Sequence, residues 1–260
     1  MTRFVDTHAH IHFGDYGLDA ETVWDDSILA GVDRMIAVGC KLEDSAGAFK
    51  FAKEHQGVWA SVGIHPHEAK EFLSDPENKK RLQKILNNPK EDKIVAIGET
   101  GLDYFYKHSN KNEQKRILEF QLELATEKDL PVVLHVRDAF DDFWPIFDQY
   151  KGLKGVVHSF STSPAVLDQV LSRGLYVGLN GIVTFTKDSS QIESAKIVPM
   201  DRLLLETDAP YLTPKPFRGK ICKPEYVKVV AEFLSELRKE PVAVIADATT
   251  ENAIKLFGIE

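Results

Sequence analysis

Apolar, β-branched-rich runs of strand length recur along the chain: FVDTHAH (4–10), RMIAVGC (34–40), VWASVGIH (58–65), KIVAIGE (93–99), PVVLHV (131–136), GVVHSF (155–160), LYVGLN (175–180) and RLLLETD (202–208). They are nearly continuous rather than alternating, as in parallel strands buried on both faces. Between them the apolar period lengthens to that of a helix. It is clearest in NKNEQKRILEFQLELATEKDL, where Ile117, Phe120 and Leu124 recur at three to four residues and Pro131 is expected to end the helix. Eight strands alternating with helices in 260 residues predict an α/β fold, a TIM (β/α)8 barrel formed by residues 1–260 as a single domain. No GxGxxG or GxxxxGKS segment follows a strand, which weighs against an open nucleotide-binding sheet.

The first run continues as FVDTHAHIHF and places His8, His10 and His12 at alternate positions. At a rise of roughly 3.3 Å per residue, such imidazoles lie about 7 Å apart on one strand face. Active groups of a βα barrel gather at the C-terminal strand ends. His8 and His10 close the first predicted strand, His65 the third, Glu99 the fourth, His135 the fifth, His158 the sixth and Asp208 the eighth. Imidazole and carboxylate are good ligands for divalent ions, and this set suffices for two. A bound ion can lower the pKa of water from about 15.7 to about 7, so the reaction expected is metal-assisted hydrolysis. The histidines suit zinc, manganese, cobalt, nickel or iron, whereas magnesium prefers oxygen.

Hydrophobic residues make up 43% of the chain and charged residues 28%, ordinary values for a globular protein. No apolar run is long enough to cross a bilayer, and MTRFVDTHAH lacks the features of a secretory signal. Cys40 and Cys222 form neither a disulfide framework nor a CxxC motif and read as inert thiols, so a cytoplasmic protein with no membrane partner is expected. The formal charge of −8 argues against non-specific coating of nucleic acid. A polyanionic substrate then needs a local basic patch or bound metal.

VDTHAH, GIHPH at 63–67, GETGLDY at 98–104, QLELATEKDLPVVLHVRDA at 121–139, VVHSFS at 156–161, GIVTF at 181–185, LLLETDAPYL at 203–212 and the terminal ENAIKLFGI together resemble the TatD family of metal-dependent deoxyribonucleases. The resemblance implies a barrel hydrolase of the amidohydrolase superfamily with 3′-to-5′ exonuclease activity on DNA. It implies that His8, His10, Glu99 and Asp208 hold one ion, and that Glu99 bridges to a second held by His135 and His158. Asp208 would also be the general base, with His65 and Arg137 near the substrate phosphate. Magnesium joins the metals this family is expected to use. The competing expectation is an ester or amide hydrolase with the same two-metal site, such as a D-aminoacyl-tRNA deacylase; a non-enzymatic nucleic-acid binder is disfavoured by the ligand set.

Other residues carry two readings each. Arg137 is either a fork for phosphate oxygens or a surface salt bridge. Glu206 and Asp208 would share a strand face, with Glu206 supporting a ligand or nearby cation rather than binding the ion. Tyr104, Phe105 and Tyr106 either stack nucleobases or plug their loop onto the barrel. His12 is expected in a turn, His67 in a loop or at the substrate, His55 and His108 on the surface, and Lys107, Lys111, Lys115 and Arg116 around a helix start. The loop RGKICKP departs from the family pattern, yet Lys215, Arg218, Lys220 and Lys223 keep it basic. A patch this small fits single-stranded 3′ ends of DNA better than a duplex.

Overall fold

The computed structural model describes residues 2–260. Strands β1 (Phe4–Ala9), β2 (Val32–Val38), β3 (Val58–Val62), β4 (Ile94–Asp103), β5 (Val132–Arg137), β6 (Gly155–Val157), β7 (Tyr176–Leu179) and β8 (Leu203–Leu205) form one sheet in sequence order. The ladders β3·β4, β4·β5 and β7·β8 are parallel. The helices are α1 (Ala20–Leu29), α2 (Leu42–Glu54), α3 (Ala69–Ser74), α4 (Glu77–Ile85), α5 (Lys111–Lys128), α6 (Phe140–Phe147), α7 (Pro164–Ser172), α8 (Ser189–Ile197), α9 (Val227–Arg238) and α10 (Val242–Phe257). This alternation and strand order are those of a (β/α)8 barrel. Every residue of β1, β4, β7 and β8 is buried, as the unbroken apolar runs require. Among the described residues no helix is long and apolar enough to cross a membrane.

The chain divides into two compact units, one of residues up to Ile36 and from Val157 onward, the other of Ala37–Val156. In the first, β1 joins the segment after β8: the His10 amide donates to Ala209 O at 2.6 Å and the Asp208 amide to His8 O at 2.8 Å. Helix α10 packs on β1 and β8, and its buried Asn252 donates to Met200 O and Leu203 O, both at 2.8 Å. In the second, α5 packs along β4. It opens on a capping box in which the Asn110 side chain accepts the Glu113 amide and Glu113 returns the contact to the Asn110 amide.

Two glutamines on α5, buried and seven residues apart on one helix face, fix the neighbouring backbone. Gln114 accepts the Asp103 amide and donates to Asp103 O and Ser109 O. Gln121 accepts the Ile64 amide at 2.7 Å and donates to Ile64 O at 2.9 Å and Thr100 Oγ1 at 2.6 Å. Thus one helix aligns both the end of β4 and the loop after β3.

Several boundaries differ from those read off the sequence, β3 and β6 among them, which end before His65 and His158; three others have a local cause. Helix α5 stops at Lys128, before Pro131, with Asp129 left-handed at φ 51°; the residue preceding a proline disfavours the helical region, so the chain turns earlier. Strand β4 does not end at Glu99 but runs four residues further, because Gln114 and the β5 ladder pair its backbone as far as Asp103. The β4·β5 register shifts between Ile97 and Thr100, so Glu99 lies in an irregularity within the strand. Strand β8 ends at Leu205 and Asp208 is left-handed at φ 61°, so Glu206 and Asp208 do not share a regular strand face.

Replacing Gln121 with Leu keeps the helix but strands the buried Ile64 amide and carbonyl. Each such orphan costs about 1–3 kcal/mol. The variant should therefore lose about 2 kcal/mol or more in urea unfolding, seen as a lowered midpoint at unchanged m-value.

Candidate functional site

In the first unit, β1 delivers His8 from within the strand and His10 from just beyond it; both rings are buried. Their Nε2 atoms face one another at 3.1 Å, and Asp208 Oδ1 lies 3.5 Å from His8 Nε2 and 3.3 Å from His10 Nε2. Ligand atoms about 2.0–2.1 Å from one tetrahedral ion are separated by roughly 3.3 Å, so these three atoms have the spacing of one face of a coordination tetrahedron. Burial disfavours the Asp208 charge, but the hydrogen bond from His10 and the interactions with His8 and His158 outweigh it and hold the carboxyl below its ordinary range.

His158 follows β6 and stacks on His8, with ring centroids 4.0 Å apart and planes inclined by 12°. Its Nδ1 is 3.5 Å from Glu206 Oε1. Glu206 is fully buried; Oε1 accepts the Ser159 amide at 2.6 Å and the Asn180 side-chain amide at 3.3 Å. The second oxygen fits only because residue 178 is glycine: a Cβ there would stand 2.2 Å from Glu206 Oε2. His8, His158 and Glu206 form a second candidate ligand group, so Glu206 lies closer to the candidate ligand atoms than a purely supporting residue. Beneath His8, buried Asp6 accepts the Thr207 hydroxyl and the amides of His8 and Thr207. Burial pushes its carboxyl up to about 8 against those bonds.

In the second unit, His65, Glu99 and His135 form another candidate ligand group. His135 Nδ1 is 2.9 Å from Glu99 Oε1, and His65 Nε2 is 3.6 Å from the same oxygen. His65 Nδ1 accepts the His67 amide at 3.1 Å, which places its ring proton on Nε2, toward Glu99. The Cys40 thiol, read from sequence as inert, also donates to Glu99, at 3.6 Å. Cys222 fits the inert reading: it is fully buried, and burial drives its thiol pKa upward.

Asp103 is the residue the strand-end reading missed. Fully buried at the end of β4, it turns Oδ2 to His135 Nε2 at 2.9 Å and His67 Nε2 at 3.1 Å, while Oδ1 accepts the amides of Phe105 and Tyr106 at 2.9 Å each. Burial opposes its charge, yet the bonds from His135, His67 and the Tyr106 amide prevail and hold it well below the usual carboxylate range. His135 Nε2–H is thereby committed to Asp103, and its Nδ1 lone pair faces Glu99. Its Nδ1 lies 2.9 Å from Glu99 Oε1, and an imidazole oriented by a carboxylate in this way is the usual arrangement of a metal-binding histidine. A signal for Asp103 existed: an aspartate inside GETGLDY, four residues after Glu99, in a buried strand.

Of the remaining candidates, Arg137 ends β5 with its guanidinium 3.9 Å from the Phe105 ring centroid; among the described residues no carboxylate pairs with it. Tyr104 is tied in by its bond to Asp142 and by Lys111 over its ring, but Phe105 and Tyr106 are exposed, so the aromatic run is not an apolar plug. His12 sits in the turn after β1, edge-on to Phe13. His67 is half-buried, with the exposed His108 ring 4.7 Å away. In the basic loop, Arg218 stacks on Phe185 at 4.0 Å and donates to Thr213 O, while Lys223 lies 3.9 Å from Glu225.

Buried imidazole and carboxylate groups gathered on sequentially ordered strands and the loops that follow them define a metal-dependent hydrolase with a (β/α)8-barrel fold. The chain belongs to the TatD related DNase family, whose profile it matches over residues 5–258. It is 38% identical over 256 residues to the uncharacterized metal-dependent hydrolase YabD of Bacillus subtilis (strain 168), with 98% of each chain covered. It is 35% identical over 235 residues to the 3′-5′ ssDNA/RNA exonuclease TatD of Cronobacter sakazakii (strain ATCC BAA-894), covering 88% of each. The crystal structure of YJJV, a TatD homolog from Escherichia coli K12, superposes with a TM-score of 0.90 at 32% identity, over 100% of this chain and 99% of that one.

Changing Asp103 to Asn retains shape but removes the charge that orients His135. Loss of such a support typically weakens metal binding by about 10–100-fold. Calorimetric titration of the metal-free protein with Mn2+ should show that loss in one site while unfolding remains cooperative.

Proposed function

We propose that this protein hydrolyses phosphodiester bonds of DNA from single-stranded 3′ ends, with residues 1–260 acting as one catalytic domain. The observation that carries the reading is the triangle of His8 Nε2, His10 Nε2 and Asp208 Oδ1, at 3.1, 3.5 and 3.3 Å, whose spacing suits one divalent ion. In this reading His8, His10, Glu99 and Asp208 hold one ion, and Glu99 is shared with a second held by His135 and His158. That sharing of ligands is what the family resemblance implies. The donor chemistry suits zinc, manganese, cobalt, nickel or iron, with magnesium as a further candidate. When bound, such ions lower the pKa of water and offset charge on the phosphate.

The chain's own groups supply the rest. Asp208, held ionised, takes the proton of the attacking water as the water oxygen bonds to phosphorus and the bond from phosphorus to the O3′ leaving atom breaks. Arg137, without a carboxylate partner among the described residues, offers its N–H edge to the phosphate oxygens. His65 presents its Nε2–H to Glu99 and stands near the phosphate. Glu206 holds His158 and the Ser159 backbone in place. Lys215 and Lys220 attract the strand, whereas Arg218 is engaged within its own loop and Lys223 lies beside Glu225. The net charge of −8 keeps nucleic acid from coating the remaining surface. Cys40 and Cys222 are not joined in a disulfide, which suits the reducing cytoplasm.

DNA labelled at its 5′ end is expected to shorten by single nucleotides. Asp208→Asn should lower turnover by about 10²-fold or more, the scale of general-base loss, without unfolding the protein. Random internal cuts, efficient release of a D-amino acid from tRNA beside intact DNA, or transfer of the whole loss to Glu206→Gln would each replace this assignment.

A further inference from the structure

Phe105 and Tyr106 are adjacent in sequence, large and apolar, and remain 54% and 45% exposed. One exposed aromatic residue is ordinary, but a pair beside the candidate centre is a surface open for contact. Their rings meet edge to face, centroids 4.8 Å apart and planes at 81°, which forms a right-angled notch. Arg137 covers part of this notch, its guanidinium 3.9 Å from the Phe105 centroid and 5.1 Å from that of Tyr106. Because Phe105 is still 54% exposed with Arg137 on it, much of the ring remains available. Stacking leaves the guanidinium N–H edge free in its own plane, so one assembly presents an aromatic surface and a phosphate-binding fork.

The backbone that carries the notch is anchored. Both amides, Phe105 and Tyr106, donate to Asp103 Oδ1, and the other oxygen of that carboxylate faces His135. Gln114 fixes Asp103 in turn through its amide and carbonyl. The backbone bearing these rings is therefore tied to His135 through one carboxylate.

We propose that Phe105, Tyr106 and Arg137 form a stacking subsite for an unpaired nucleobase of the DNA end, with Arg137 on the phosphate next to that base. The assignment rests on the nuclease reading above and adds how the end is positioned. A base stacked on one ring abuts the other with its edge, while the interior paired bases of a duplex have both faces covered by their neighbours and cannot turn one to either ring. Since every base has a π-face, the subsite accepts all four bases and discriminates only against a missing one. Asp103 is a positioning residue here: it sets the spacing between the stacked base and the hydrolytic centre.

The test uses full-length, metal-loaded protein and single-stranded oligonucleotides carrying a tetrahydrofuran abasic residue in place of each of the last two 3′ nucleotides in turn. For the wild-type protein, one of the two replacements should raise KM by about 5–100-fold, the range expected for loss of one base–aromatic stack. The double variant Phe105→Ala, Tyr106→Ala should show a raised KM on intact DNA and little further change on the abasic substrate, with metal content unaltered. If that variant does not fold, Phe105→Leu with Tyr106→Leu retains apolar bulk without an aromatic face and should behave the same way. Wild-type indifference to both abasic substrates, or full abasic discrimination in a folded double variant, would overturn the subsite. A binding measurement separates this result from failure of the nuclease reading: 2-aminopurine at the stacked position should be quenched by wild-type protein and not by the variant. Quenching without cleavage would refute the nuclease and keep the subsite; cleavage without quenching would do the reverse.

Discussion

A carboxylate buried without water must have its charge met, and at Asp103 that requirement organises the second unit. Each oxygen takes two contacts, one set from the imidazoles of His135 and His67, the other from the backbone of Phe105 and Tyr106. An unpaired buried ion would cost several kcal/mol, so these partners are held together or lost together. The consequence for chemistry is directional: with Nε2–H committed to Asp103, His135 can offer only Nδ1 to the centre, beside Glu99.

The same economy of buried polar groups explains why an outer helix bears on a site it does not touch. Gln114 and Gln121 are poor residues for an apolar helix face, yet each matches a backbone donor and acceptor in the adjoining strand or loop. Hydrophobic packing alone would let α5 slide along β4 at small cost; paired amides do not. Position is therefore transmitted from the Asn110 capping box, through the helix, to Asp103 and to the loop that carries His65.

In the first unit the constraint is space as much as charge. Glu206 points into a pocket that exists because position 178 lacks a side chain, and it is secured there by Ser159 and Asn180. Asp208 reaches His8 and His10 only through a left-handed backbone turn beyond β8, held by the bond from its amide to His8 O. Asp6, Thr207 and His8 knit β1 to the segment after β8 below the imidazoles. The candidate ligand atoms thus stand within or just beyond the strand ends, fixed by buried polar contacts, while the loop beyond carries the basic residues.

Much of this was legible in the sequence. Continuous apolar runs located the eight strands, because a strand covered on both faces has no polar side to interrupt it. Histidines and acids at or near their ends marked the chemistry, because such groups are too costly to bury without a partner or an ion. Their motifs carried the family. The sequence could not show that β4 runs past Glu99, since strand length there depends on pairing with β5 and on Gln114 across the helix. Nor could it show that Asp103 serves two ring nitrogens and two amides, that Phe105 and Tyr106 stay in solvent, or that Arg137 rests on them rather than on a carboxylate. Periodicity reports which face a residue occupies within its own element. Which groups meet across elements is decided by tertiary packing, where each buried donor and acceptor must find a particular partner within about 3 Å.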